Sequence, residues 1–429
     1  MNEAARAIQR TYLLLTLLTT LAASFIWGIN TLFLLDAGLN NTQAFAANAF
    51  FTVGQVIFEV PTGVVADTAG RRVSFLLGSL TLLISTLLYL FMWEISAPFW
   101  GWAVASVFLG LGFTFFSGAV EAWLVDALHA AKYTGDLDTV FGKGQTVMGA
   151  AMLTGSFAGG LIAQFTNLGV PYIVRAGVLG VTLVVGFVAM KDIGFQPKRG
   201  AGPIKEVRKV LRGSIEHGWR KPPVRWLMLA SPFTFGVSIY AFYAMQPHLL
   251  DLYGDSTAFW VAGLAASILA GAQIVGGLLV PALRRVFSRR THALILSVAF
   301  GTGALALIGL TRSFWLAIGL LVVWAITFSA SVPMRQAYLN GIIPSEQRAT
   351  VISFDALMGS AGGAAIQPAL GRVADVWSYG TSYVVGAGIQ VVALPFLLLA
   401  RRENASSDQI RPTDAPEHGE PTGTVVPPE

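Results

Sequence analysis

EVPTGVVADTAGRR, residues 59–72, places two carboxylates, two arginines, a proline and two glycines between two long apolar runs. Such a stretch reads as a catalytic loop, a phosphate cradle or a hinge between membrane helices. The surrounding composition decides among these. The chain has 429 residues, of which 54% are hydrophobic and only 12% charged. Soluble domains carry about 25% charged residues, and apolar runs near 20 residues long are membrane spans. The stretch is therefore a loop joining two helices of a polytopic membrane protein.

Apolar runs are predicted at 12–35, 43–66, 73–93, 98–125, 141–165, 171–190, 225–250, 257–283, 292–311, 314–339, 349–370 and 379–400. The fold class is thus all-α, with twelve spans. The first run is too long for a signal-peptide core, so no cleavable leader is expected. Twelve spans put both termini on one side. With that side in the cytoplasm, every lysine and arginine except Arg175, Arg312 and Arg372 falls in or beside a cytoplasmic segment. The positive-inside rule then fixes the orientation and accounts for the net charge of +5 without nucleic acid.

The connector 191–224 is the one long internal loop and divides the chain into residues 1–190 and 225–402. Ile204, Val207, Val210, Leu211 and Ile215 recur in it at helical spacing among lysines and arginines, which predicts an amphipathic helix on the membrane surface or else a plain tether. Residues 403–429 are rich in Pro, Ser, Glu and Asp and are expected to be a disordered, dispensable cytoplasmic tail. Gly54–Ile57 (GQVI) and Ala272–Val275 (AQIV) precede Arg71-Arg72 and Arg289-Arg290 at the same offset. Two related six-helix halves around a central cavity follow from this repeat.

Enzyme signatures are missing: there is no HExxH, GxSxG or GxxxxGK[ST], and Phe141-Gly-Lys-Gly144 lacks the phosphate-loop spacing. With zero cysteines there is no thiolate chemistry either. No metal site or cofactor is expected.

Gly63-x-x-x-Asp67-x-x-Gly70-Arg71-Arg72, between spans 2 and 3, resembles motif A of the major facilitator superfamily. The resemblance covers the chain to about residue 402 and implies two pseudo-symmetric bundles that rock about a central site. It implies a latch at the cytoplasmic gate, with Asp67 facing the N-terminal end of span 11 and Arg71 pairing with Asp67 and Asp126. The alternative is that Arg71 and Arg72 only set topology. In the second half Pro281-Ala-Leu-Arg-Arg285 lacks the matching Asp. Span 5, with Gly155, Ser156, Gly159 and Gly160, is similar to the antiporter motif C, whose Gly and Pro are here Ala151 and Ser156. Those small residues suit helix bending and close packing. Span 4 has no arginine between 99 and 125, against motif B.

Acids inside a bilayer cost about 3 kcal/mol or more and are functional candidates. Glu59 lies about 10 Å inside span 2 at 1.5 Å per residue. Glu121 in span 4 and Asp355 in span 11 lie at similar depth. These three are the candidate proton carriers, unless each is pinned by an arginine or a helix end. Asp36 and Asp126 are assigned structural and latch roles. Phe25, Gln55, Phe115, Phe116, Phe235, Tyr240, Tyr243, Gln273, Trp324 and Phe328 are the candidate cavity wall. Apolar walls with few polar groups suit a small lipophilic substrate, and central arginines, which a phosphate would need, are not expected.

The resemblance to drug:proton antiporters of the multidrug efflux branch implies export of hydrophobic or amphiphilic molecules. It implies a proton gradient as energy source, a monomer in the cell membrane, and no nucleic-acid partner. A proton-coupled uptake symporter and a non-transporting receptor are the alternatives.

Overall fold

The computed structural model describes residues 3–197, 212 and 215–410. Within these the chain is all-helical, and the twelve spans are helices or pairs of helices. Spans 1 to 6 are Glu3–Trp27, Asn41–Thr68, Arg71–Glu94, Phe99–Phe116 continued by Ala119–Ala130, Leu137–Phe165 and Val170–Ala189. Spans 7 to 12 are Pro222–Tyr253, Phe259–Leu278 extended by Val280–Val286, Arg290–Leu310, Phe314–Asn340, Ser345–Val376, and Tyr379–Val391 continued by Ala393–Arg402. Eleven are long and apolar enough to cross a membrane. The other, span 11, has 32 residues but is more polar. The expected surface helix of the connector lies mostly outside the described residues.

Local chemistry sets the helix ends. Asn40 and Gln43 form a capping box that opens span 2, and Asp136 accepts from the backbone of Asp138 and Thr139 to open span 5. Gly70 has φ +111°, a conformation that favours glycine, and an added Cβ there would meet the Asp192 carboxylate at 2.5 Å. Asp192 in turn accepts the Arg72 backbone N–H at 2.9 Å, capping span 3. Span 4, expected to be continuous, breaks at Ser117–Gly118, where Gly118 turns left-handed at φ +67°.

Packing repeats between the halves. Span 1 lies against spans 5 and 6, span 2 against span 4, and span 3 against spans 4 and 6. In the same way span 7 lies against spans 11 and 12, span 8 against span 10, and span 9 against spans 10 and 12. Two pairs dominate the contact between bundles, span 2 with span 11 and span 5 with span 8, and the same pseudo-symmetry exchanges them.

The expectation of disorder from residue 403 onward fails for Glu403–Ile410. These residues dock as a strap on the second bundle. Asp408, 1% exposed, accepts the Thr291 backbone N–H at 2.8 Å and its hydroxyl at 2.9 Å, so it caps span 9 from a distance. Ser407 donates to Tyr338 O, the Ile410 N–H donates to Ser288 O, and Trp226 donates to Glu403. Polar composition misled here because the polar groups find backbone partners rather than water. Losing the cap leaves a buried N–H unpaired, at about 1–3 kcal/mol. Asp408→Ala is therefore expected to lower the melting temperature of the detergent-purified protein, while a stop after Ile410 leaves it unchanged. An unchanged melting temperature for Asp408→Ala would show the strap to be incidental.

Candidate functional site

The bundles meet at the face bearing the span 1–2 loop and part at the face bearing the termini. At the first face Asp375, near the end of span 11, accepts the backbone N–H groups of Asn41 (2.9 Å) and Thr42 (2.8 Å) and the Thr42 hydroxyl. Those residues begin span 2, so a carboxylate of one bundle seats on the positive helix end of the other. Tyr379 donates to the Asn41 side chain beside it. Gln246 of span 7 accepts from Thr31 N at 2.8 Å and donates to Trp27 O at 3.0 Å. Trp27 stacks on Phe242 at 4.2 Å, and Phe45 packs on Tyr240 at 4.7 Å.

The span 5–span 8 contact depends on missing side chains. The Gly160 Cβ position lies 2.7 Å from the Gly263 Cα, and that of Gly263 lies 2.7 Å from Ser156 O. On its other side span 5 touches span 1, with Gly155 against Ser24 Oγ and Gly159 against the Phe25 carbonyl. Gly155, Ser156, Gly159 and Gly160 thus let span 5 lie close to two neighbours at once. Span 5 itself runs unbroken from Leu137 to Phe165.

At the termini face Asp67 pairs with Arg71 at 2.7 Å and remains 43% exposed. Arg71 Nε lies 4.0 Å from the Asp126 carboxylate. Among the described residues Asp67 has no partner in the second bundle, and the space beside Gly63 is open. Arg72 is used locally: it donates to Phe187 O at 2.6 Å and lies over the Phe187 ring. Between spans 2 and 11 a cleft of about 520 Å³ opens, lined by Gln55, Glu59, Phe354 and Leu357 among others.

Two further cavities lie inside the bundles. One of about 230 Å³ in the second half is walled by Phe235, Trp324, Phe328 and neighbours, with Arg335 and Asp355 in its lining. Arg335 holds the Asp355 carboxylate through both Nη atoms and also donates to Leu227 O. The other, about 260 Å³, lies mainly in the first half and reaches Tyr243 of span 7. Its lining includes Gln55, Asn48 and Arg175.

Several expectations need correction. Asp355 is the acid pinned by an arginine, because Arg335, which the sequence places at the end of span 10, turns into the bundle. Glu59 and Glu121 are exposed rather than desolvated. Glu59 faces the cleft and accepts from Ser117 at 2.7 Å, and Glu121 opens the short helix after the span 4 break. Central arginines do exist, since Arg175 and Arg335 both line cavities. Phe115 and Phe116 pack against Gly78 and Phe75 between spans 3 and 4, and Tyr240 is buried on Ser382 and Phe45. Phe25 and Gln273 contribute backbone carbonyls to helix contacts and do not line these cavities. Asp36 accepts from Trp93 at 2.8 Å.

Asp375 was legible in principle. Gly63-Val-Val-Ala-Asp67 and Gly371-Arg-Val-Ala-Asp375 share Gly-x-Val-Ala-Asp, each at the end of its span. Spans 2 and 11 run in opposite directions, so the two acids lie at opposite faces.

A family model described as Major Facilitator Superfamily matches residues 12–366 and again 261–423, and the chain belongs to that superfamily. An uncharacterized MFS-type transporter of Methanocaldococcus jannaschii is 21% identical over 248 residues, 58% of this chain. The match spans 62% of that relative's length. Among solved structures, the nucleoside transporter NupG is similar with a TM-score of 0.76 and 12% identity, over 93% of this chain and 99% of that one. A bacterial homolog of the human lysosomal transporter Spinster, inward-facing and unoccupied, has a TM-score of 0.70 and 15% identity. That likeness covers 95% of this chain and 99% of the homolog. At such identities the likeness concerns the fold.

A leucine at Gly160 would drive its side chain into the Gly263 backbone, and overpacking of this kind costs about 1–3 kcal/mol. The bundles can relieve it by separating at the span 1–2 loop face. Gly160→Leu is thus expected to fold normally, but with transport about tenfold or more slower when a 1.4–3 kcal/mol bias is placed on one state. A wild-type transport rate would show that the 5–8 contact does not govern the cycle.

Proposed function

We propose that this protein is a proton-coupled secondary transporter that exports small amphiphilic organic molecules by alternating access. The observation that carries the reading is the unequal use of two equivalent acids. Asp375 is seated on the start of span 2, whereas Asp67 is exposed and, among the described residues, paired only within its own bundle. Rocking the bundles would release Asp375 and bring Asp67 to the start of span 11. The distribution of lysine and arginine supports placing the open face and both termini in the cytoplasm, which would make this a cytoplasm-open state of a cell-membrane protein.

The substrate class rests on cavity walls that are largely aromatic and aliphatic with a few polar groups, as at Phe235, Trp324, Phe328 and Tyr243. Coupling is assigned to Glu59 and Glu121. The Glu59 carboxylate faces the cleft between spans 2 and 11, so closing that cleft would change its access to the cytoplasm. No resident cofactor is needed, and a single copy of the chain contains both halves of the path. Export is favoured over uptake by the small-residue row of span 5, which forms the contact with span 8.

The direction and coupling are testable in everted membrane vesicles loaded by respiration with an acid interior. Addition of transported amphiphiles, screened as lipophilic dyes and organic acids, is expected to release protons measurably through the wild-type protein. Glu59→Gln and Glu121→Gln are expected to lower proton release per substrate about a hundredfold or more, the range of a lost proton-transfer group, while leaving the purified protein folded. Accumulation of the same compounds by intact cells, driven by an inward proton gradient, would reverse the assigned direction.

A further inference from the structure

The cavity of the first half contains a cation that no carboxylate among the described residues pairs with. Arg175 of span 6 is 2% exposed. Its Nε donates to the Thr86 hydroxyl at 3.0 Å, and its guanidinium carbon lies 5.9 Å from the centre of the Phe113 ring. Nη2 is buried and has no acceptor. Among the described residues no carboxylate pairs with it. An arginine buried without a counter-charge is costly, and a charged side chain inside a membrane bundle is by default a functional-site candidate.

The cavity offers a second unpaired donor beside it. Asn48 of span 2, 3% exposed, accepts from Asn30 through Oδ1 at 2.8 Å, and Asn30 accepts from Tyr172 at 2.9 Å. That chain leaves Asn48 Nδ2 buried and unpaired in the same cavity lining. Trp27, Phe51, Phe113 and Tyr243 supply apolar and aromatic wall. The second-half cavity makes the contrast: its arginine, Arg335, is fully engaged by Asp355. Of these two cavities, the first-half one has the arginine that no carboxylate among the described residues answers.

We infer that Arg175 and Asn48 form a receptor for the carboxylate of the transported molecule, whose apolar body lies among Trp27, Phe51, Phe113 and Tyr243. One guanidinium balances one negative charge, which matches a monocarboxylate better than a phosphate dianion. Planar two-point pairing with the arginine also suits a carboxylate. The substrate is then an amphiphilic organic acid rather than a neutral or cationic drug. This inference rests on the transport reading above and names the substrate class of the same path.

Two measurements on the full-length, detergent-purified protein test it. The first needs no ligand: removing an uncompensated buried charge should not destabilise the empty protein. Arg175→Met is expected to melt at or above the wild-type temperature. A marked drop would show that Arg175 is structural and overturn the inference. The second compares phenyl- and indolyl-substituted carboxylates with their carboxamides, and with phenyl phosphate and inorganic phosphate, by quenching of tryptophan fluorescence. Carboxylates are expected to bind about tenfold to a hundredfold more tightly than the matching amides, as charge-assisted hydrogen bonds predict. Arg175→Gln should erase that preference and Arg175→Lys restore part of it. Equal binding of amides, a preference for phosphates, or no binding by any carboxylate would each overturn the inference. Carboxylate-selective binding without flux in proteoliposomes would instead leave the site standing and remove the transport reading.

Discussion

The Asp375 carboxylate on the first turn of span 2 is the contact on which the arrangement of the two bundles turns. It joins a negative charge to backbone N–H groups that have no partner inside their own helix, and it does so between halves. Each such bond contributes on the order of 1 kcal/mol net. That is strong enough to favour one face closing and weak enough to be exchanged for an equivalent contact elsewhere. A rocking transporter needs this modest scale, because a latch worth many times more would trap one state.

The pseudo-symmetry of the fold supplies the equivalent contact. Spans 2 and 11 are antiparallel neighbours, and each ends in Gly-x-Val-Ala-Asp; Asp375 sits on the first turn of span 2, whereas among the described residues Asp67 stands apart from the second bundle in this state. The glycines of span 5 and span 8 serve the same closure without charge: their backbones touch where any side chain would hold them apart. Arg71 pairs with Asp67 at the open face, and its Nε lies 4.0 Å from the Asp126 carboxylate. Farther along the path, the two buried arginines differ in what completes them. Arg335 is answered from within the chain, and Arg175 is left for a ligand to answer.

Much of this was legible in the sequence, for identifiable reasons. Twelve apolar runs show as such because lipid demands them, and the loop from Gly63 to Arg72 stands out by its charges among apolar neighbours. Arg175 was counted as a charge at the outer end of span 6, because linear position says how deep a residue lies and not which way it faces. Arg335 was hidden for the same reason. The depths of Glu59 and Glu121 were read as burial, whereas a cleft and a helix break leave both side chains open. Asp375 is hard to read from the sequence because its likeness to Asp67 relates helices of opposite direction, not helices in parallel register between the halves. The strap from Glu403 to Ile410 is polar, and only the fold shows that its carboxylate meets the start of span 9.

The claim that two acids alternate as latches is tested most directly by distances between spin labels across each face. The chain has no native cysteine, so labels at Phe165 and Ser256 report one face, and labels at Thr68 and Arg285 report the other. Asp375→Asn should lengthen the first distance and shorten the second. Asp67→Asn should shift both populations in the opposite sense, toward the arrangement seen here. If both substitutions move the distances in one direction, or neither moves them, the acids do not act as reciprocal latches.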